Sequence, residues 1–227
     1  MVTAIVLAAG RSSRMGGGTN KQFLELRGQP ILRYSLAAFE NCAAIDTIVV
    51  VRRPEYAEQA EEIVRTAGCH KVIAFTDGGA ERQNSVWNGL EKCPAHTGIV
   101  AVHDGARPLV TPQLIEATVA SARAHGTGTA ATKVVDTIKE ADDTRTILRT
   151  VDRTRLWAVQ TPQTVQYQLL RDAYTAIFKK GIVVTDEAAA VEQLGHAVKL
   201  VDTPFLNLKI TTPSDLAMAE ALLAQRG

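Results

Sequence analysis

Short runs of apolar and β-branched residues alternate along this chain with stretches of helical spacing, and that alternation constrains the fold more than any other feature. The runs are Thr3 to Ala9, Ile45 to Val51 ("IDTIVVV"), Lys71 to Phe75, Ile99 to Val102 and Thr129 to Val135. Each is far shorter than the about 20 apolar residues a membrane span needs, and each reads as a buried strand. Between them, Ala57, Ala60, Ile63, Val64 and Ala67 mark one face of a helix that starts near Glu55. Leu114, Ile115, Thr118, Val119 and Ala122 mark a second, which opens with Thr111 as N-cap and Pro112 in its first turn. The last helix repeats the device with Thr212 and Pro213, and Asp215 follows near the positive end of the dipole. Strands alternating with helices build right-handed βαβ units. The expected fold is therefore α/β, a doubly wound and mostly parallel sheet.

One stretch breaks the alternation. "KVVDTIKEADDTRTILRTVDR", Lys133 to Arg153, holds two β-rich arms around a polar centre, which predicts a protruding β-hairpin arm at about 136–153 with Asp142-Asp143 at its turn. It is longer than a chain reversal requires, so two readings stand: an arm reaching a second subunit, or a plain surface hairpin. Nothing in the 227 residues looks like a linker or a repeat, so a single domain over 1–227 carrying this arm is expected. A net charge of +1 provides no global field toward nucleic acid or an anionic membrane, and neither is expected as a partner. Cys42, Cys69 and Cys93 form no CxxC pair and fit the thiols of a reducing cytoplasm. The first apolar run also lacks the basic residues that precede the core of a signal peptide.

The first strand feeds "LAAGRSSRMGGGTNKQ", Leu7 to Gln22, a loop of glycines, serines, two arginines and a lysine. It matches neither the Walker pattern nor GxGxxG, which disfavours a nicotinamide-dependent oxidoreductase. Small residues such as Gly10 let a backbone approach a ligand and turn N–H groups toward anions. Arg14 and Lys21 then supply charge to a phosphoryl group; a surface loop with incidental cations is the competing reading. In "VHDGARPLVTP", Asp104 falls at the carboxyl end of a strand, where ligands of open α/β sheets bind. It suits a ribose hydroxyl or a magnesium ion. Arg107 suits a phosphate or a brace for Asp104, and His103 reads as a packed residue outside the chemistry.

Three further segments have both a functional and a plain reading. In "DGGAERQNSVWNGL", Gly78, Gly79 and the amides near Ser85 suit a base edge, or else Ala80 to Leu90 is only a capped helix. In "TDEAAAVEQLG", Thr185 stands as N-cap with Asp186 and Glu187 in the first turn, which explains the acidic pair without a metal. In "NLKITTPSDL", Lys209 sits in a short apolar strand, where an unpaired ammonium is costly.

Taken together, "LAAGRSSRM…KQ", "DGGAERQNSV", "HDGARP", "VVDTIK", "TVDRTRLW", "QTPQ", "TDEA" and "NLKITTPSDL", in that set and over essentially the whole chain, resemble the 2-C-methyl-D-erythritol 4-phosphate cytidylyltransferases of the non-mevalonate isoprenoid pathway. The resemblance implies the nucleotidyltransferase variant of the Rossmann-like sheet, working as a homodimer through the arm. It implies transfer of a cytidylyl group from CTP to 2-C-methyl-D-erythritol 4-phosphate with release of pyrophosphate, by in-line attack on the α-phosphorus, with Mg2+ as cofactor. Arg14, Lys21 and Lys209 match the catalytic cations. Ala8, Ala9, Gly10, Gly78 and Ser85 match the CTP site, largely through backbone, and Asp104 matches the ribose position. Any metal would be held mainly through the CTP phosphates, with Asp104 as the protein's contribution. Arg107, Thr137, Arg153, Thr161 and Thr185 match the acceptor site, with Thr137 and Arg153 reaching in from the partner subunit. Gly105 stands where some members of the family carry alanine, a departure expected to be tolerated, and Gly16, Gly17 and Gly18 are expected to loosen the first loop. Two rivals stay open: a ribitol 5-phosphate cytidylyltransferase on the same fold, and a nucleotide-binding module without turnover. The second would not need Arg14, Lys21 and Lys209 all aimed at phosphates.

Overall fold

The structure, a computed structural model, describes residues 1–10, 21–203 and 206–226. Arg14 and the Gly16, Gly17, Gly18 run lie outside the described residues. Val2–Leu7 forms β1, and a 3-10 turn at Lys21–Phe23 leads through Glu25–Leu26 (β2) and Gln29–Pro30 (β3) into the helix Ile31–Glu40 (α1). Thr47–Arg52 (β4), a 3-10 turn at Pro54–Tyr56, Ala57–Thr66 (α2), Val72–Asp77 (β5), Arg82–Leu90 (α3) and Ile99–Asp104 (β6) follow. Then come Pro112–His125 (α4), Thr127–Lys133 (β7), Ile138–Ala141 (β8), Ile147–Val151 (β9) and Trp157–Gln166 (β10). Tyr167–Lys180 (α5), Glu187–Glu192 (α6), Leu200–Asp202 (β11) and Pro213–Arg226 (α7) complete the chain.

Among the described residues, seven strands form one sheet in the order β11-β7-β10-β6-β1-β4-β5. β1 is parallel to β4 and β6, β4 to β5, and β7 to β11, as the alternation predicts. β10 runs against both of its neighbours, β6 and β7. Its direction follows from its connection: β7 reaches it without a crossover helix, so the two pair as a hairpin from Lys133 opposite Trp157 down to Thr127 opposite Val165. The β8–β9 ribbon is an insertion at the tip of that hairpin, where Val134 N–H bonds Leu156 O at 3.2 Å. The arm is solvent-exposed, with Ile147 and Leu148 about 60 % accessible. Its turn is organised by the Asp142 carboxylate, which accepts from Thr144 and Thr146 N–H at 2.9 Å each, and Arg145 takes the left-handed position.

Side chains of β1 alternate between two cores, which is what winding helices on both faces requires. Val6 and Ala4 pack with Leu32, Leu36 and Phe39 of α1 and Ile115 and Val119 of α4. Ile5 and Leu7 pack with Val86 and Leu90 of α3 and Leu170, Tyr174 and Ile177 of α5. Thr111 caps α4 as read, accepting from Leu114 N–H at 3.3 Å. A methyl at Gly105 would stand 3.0 Å from Leu32 Cδ1 and from Leu7 O, so alanine fits there only if those neighbours shift by a few tenths of an ångström.

Two local readings need correction. The N-cap of α6 is Asp186, whose carboxylate accepts from Ala189 N–H at 2.9 Å, and Thr185 lies one residue before it. The residues around Lys209 form no strand; Ile210 N–H instead ties this segment to Ala106 O at 2.8 Å.

Candidate active site

The carboxyl ends of β1, β4, β5 and β6 open onto a cleft of about 520 Å³, the position expected for a ligand on such a sheet. Ala9 and Gly10 line it after β1, Arg53 to Glu55 after β4, Gly78 to Arg82 and Ser85 after β5, and Asp104 and Ala106 after β6. Lys21 and Lys209 bring the cations of two distant segments to the same space. Ala8 is buried beneath this surface, its N–H bonded to Val51 O at 2.6 Å.

The β5–α3 turn lies directly on the β1 turn. A Cβ added at Gly78 would fall 2.3 Å from Ala9 Cβ, so only glycine lets these two backbones meet. Gly79 N–H donates to Ser85 Oγ at 3.1 Å, and Glu81 with Asn84 forms a capping box at the start of α3. The result is a rigid wall of backbone groups, the kind of surface that can read a neutral base edge.

Asp104 is the electrostatic centre. Lys209 Nζ lies 2.7 Å from its Oδ2, Arg82 Nε 3.4 Å from Oδ1, and Arg107 Nε 3.9 Å from Oδ2. Burial works to raise the carboxyl pKa, but Arg82, Lys209 and Arg107 outweigh it and hold Asp104 ionised well below the usual carboxylate range. Arg107 and Thr161 do not line the cleft. Arg107 Nη1 donates to Asn207 O at 2.7 Å, and Asn207 Nδ2 donates to Thr161 O at 2.8 Å, which fixes the segment that carries Lys209. Thr161 Oγ1 accepts from Asp104 N–H at 3.1 Å. Thr137 and Arg153 meet each other on the arm at 3.4 Å and, like Thr185, lie outside the lining of the chain's own cleft.

His103 is wholly buried as a packed residue, with Nδ1 3.1 Å from Thr161 Oγ1 and Nε2 3.3 Å from Arg107 O. Arg107 O can only accept, so the neutral ring carries its proton on Nε2, and Nδ1 accepts from the Thr161 hydroxyl. Burial pushes the His103 pKa down to about 3, whereas the unfolded ring titrates near its ordinary 6.5. Between those values the unfolded chain binds a proton that the folded chain does not. Stability attributable to His103 therefore falls as pH drops from 6.5 toward 3, by about 1.4 kcal/mol per unit. In urea unfolding, His103→Gln is expected to flatten the pH dependence by about one proton across this window; parallel slopes would contradict a neutral buried ring.

Two residues in this network escaped the reading of the sequence. Arg82 and Glu187 each stand at the start of a helix, where polar residues need no further explanation. Their pairing across 105 positions, with Nη1 to Oε1 at 2.6 Å, has no local signal. Among the described residues no group of three or more His, Cys, Asp or Glu could hold a metal ion. Asp104 already receives Lys209 and Arg82. This donor set does not build a metal cage, but it fits a cation carried in on a polyphosphate, with Asp104 among the carboxylates of the lining.

The sequence model of one family, described as 2-C-methyl-D-erythritol 4-phosphate cytidylyltransferase, matches residues 2–225. A protein of that description from Pelotomaculum thermopropionicum is 45% identical over 226 residues, 99% of this chain and 95% of its own. Another from Geobacillus kaustophilus is 44% identical over 98% of this chain and 97% of its own. The crystal structure of 4-diphosphocytidyl-2C-methyl-D-erythritol synthase from Anaerococcus prevotii matches with a TM-score of 0.86 at 27% identity, covering 98% of this chain and 96% of that one. The cytidylyltransferase structure from Thermus thermophilus gives 0.80 at 32% identity, covering 97% and 98%.

Proposed function

This chain belongs to the 2-C-methyl-D-erythritol 4-phosphate cytidylyltransferase family, and from that premise we propose how its cleft performs the transfer of a cytidylyl group from CTP to 2-C-methyl-D-erythritol 4-phosphate. An oxygen of the acceptor phosphate attacks the α-phosphorus in line. The new P–O bond forms as the bond to the bridging oxygen of the β-phosphate breaks, and pyrophosphate leaves. The nucleophile is already an anion, so the protein needs no general base. Its work is positioning and charge stabilisation.

Gly78, Ser85, Ala9 and Gly10 hold the cytosine end through the backbone wall, with Ala8 beneath it. Asp104 accepts from the ribose hydroxyls. Lys21 and Lys209, with Arg14, stabilise charge on the five-coordinate phosphorus. The observation that carries this reading is the convergence of Lys21 and Lys209 on one glycine-walled cleft, with Lys209 anchored 2.7 Å from Asp104. Arg107 and Thr161 act on the substrates through Asp104 and the Lys209 segment. A magnesium ion would be held mainly by the CTP phosphates, with Asp104 as the protein's contribution, and would neutralise phosphate charge as pyrophosphate leaves. The in-line displacement predicts inversion at phosphorus with a CTP made chiral by sulfur at the α-phosphate; retention would contradict it.

We further propose that the chain acts as one domain over 1–227, in a homodimer in which the arm carries Thr137 and Arg153 to the partner's acceptor site. The exposure of Val135, Ile147 and Leu148 supports this reading. Arg153→Ala is expected to raise the acceptor KM about 10–100-fold, the value of one hydrogen bond between charged groups, with kcat little changed. Mixed dimers of Arg153→Ala with Lys21→Ala should regain one intact site each. No recovery in verified heterodimers would exclude a shared site. The three free thiols fit the cytoplasm, and no helix among the described residues is long and apolar enough to cross a membrane.

A further inference from the structure

Glu187 is fully buried at the first position of α6, yet capping does not explain it, because Asp186 already serves as the N-cap. Both of its oxygens are taken by Arg82, Nη1 to Oε1 at 2.6 Å and Nη2 to Oε2 at 3.0 Å, and the Tyr174 hydroxyl adds a third bond at 3.1 Å. A buried ion pair contributes little net stability over a well-packed apolar pair. What it does fix is the direction of a guanidinium. With both terminal nitrogens held by Glu187, Arg82 presents only Nε to Asp104, at a long 3.4 Å.

That restraint matters for the acceptor capacity of Asp104. An ionised carboxylate has about four lone-pair directions. Lys209 takes one at Oδ2, and the weak Arg82 contact leaves room for two hydroxyls. An unrestrained guanidinium would instead close its fork on the nearest remaining carboxylate, which is Asp104. We infer that Glu187 is a positioning residue for nucleotide recognition: by holding Arg82 in a two-point grip, it keeps Asp104 open to the ribose hydroxyls of the nucleotide. The inference rests on the reading of Asp104 as the ribose ligand.

The test is the ratio of kcat/KM for CTP to that for 2′-deoxy- and 3′-deoxy-CTP in the full-length enzyme. Wild type should favour CTP by about 10–100-fold over at least one analogue, the value of a hydrogen bond to a charged group. Glu187→Gln should collapse that preference to about threefold or less, by losing CTP activity far more than deoxy activity. The double variant Glu187→Gln with Arg82→Gln should restore the preference, because no guanidinium remains to occupy Asp104. If Glu187→Gln does not fold, Glu187→Asp keeps the buried charge but shortens its reach, and the ratio should again fall. A purely structural pair would lower activity with all three nucleotides alike; an unchanged ratio in the folded Glu187 variant overturns the inference. Asp104→Asn separates the two claims. If wild type shows no preference, or Asp104→Asn keeps it, the ribose reading falls and the inference with it. Preference lost in Asp104→Asn but kept in the Glu187 variant overturns the inference alone.

Discussion

Replacing Lys21 by alanine is expected to lower kcat by about 10²–10³-fold, the scale for removing one donor from a charge-stabilising site. Folding should be unharmed. The turn that carries Lys21 is held by other groups: Leu24 N–H bonds Lys21 O at 3.2 Å, and Phe23 stacks on Tyr56 with ring centroids 5.0 Å apart. Lys21 lines the cleft. Because it acts on charge that develops during the reaction, the loss should fall on kcat and leave the KM for CTP within a few-fold. Steady-state kinetics beside thermal melting makes the distinction. A loss of turnover matched by a loss of stability would contradict a catalytic role. Arg14→Ala is expected to behave in the same way.

The second large effect is expected at Asp104, where chemistry and stability are coupled. Asp104→Ala leaves Arg82, Arg107 and Lys209 without the carboxylate they share. Removing one member of a buried ion cluster costs about 3–5 kcal/mol. The lower end is expected here, because Arg82 retains Glu187 and Lys209 reaches solvent. Turnover should fall as well, since the variant loses both the ribose acceptor and the anchor of Lys209. Acid separates the two contributions. The Asp104 carboxyl is held below its unfolded value, so its stabilisation is fully present above about pH 4 and is lost as pH falls further toward the folded pKa. The stability gap between wild type and Asp104→Ala should therefore narrow below about pH 4. A gap that stays constant would show that Asp104 does not contribute through its charge.

The parallel strands were legible because a doubly buried strand needs an apolar centre, and Ile48 to Val51 and Ile99 to Val102 supply one in each. The helix starts at Thr111 and Thr212 were legible because capping is local chemistry. β10 was not, since "QTPQ" has polar residues and a proline, and its reversed direction comes from its hairpin connection to β7. Lys209 was legible as a cation that needs a partner, although its segment is not a strand. An unpaired ammonium among apolar residues needs a partner wherever the backbone lies, and the partner is Asp104. From sequence alone Thr185 reads as the cap, because Thr, Asp and Glu in succession leave the boundary of a short helix open by one residue. Arg82 and Glu187 were hidden for a deeper reason. Each is an ordinary helix-start residue in its own segment, and only the packing of α3 against α5 and α6 turns them into a pair.

This cleft joins CTP to a branched polyol phosphate. Pyrophosphate release with CTP and magnesium tests it most directly, with 2-C-methyl-D-erythritol 4-phosphate and ribitol 5-phosphate offered in parallel. Rapid release with the methylerythritol phosphate and none above background with the ribitol phosphate is the predicted result. Release with ribitol 5-phosphate alone, or with neither acceptor, would contradict it.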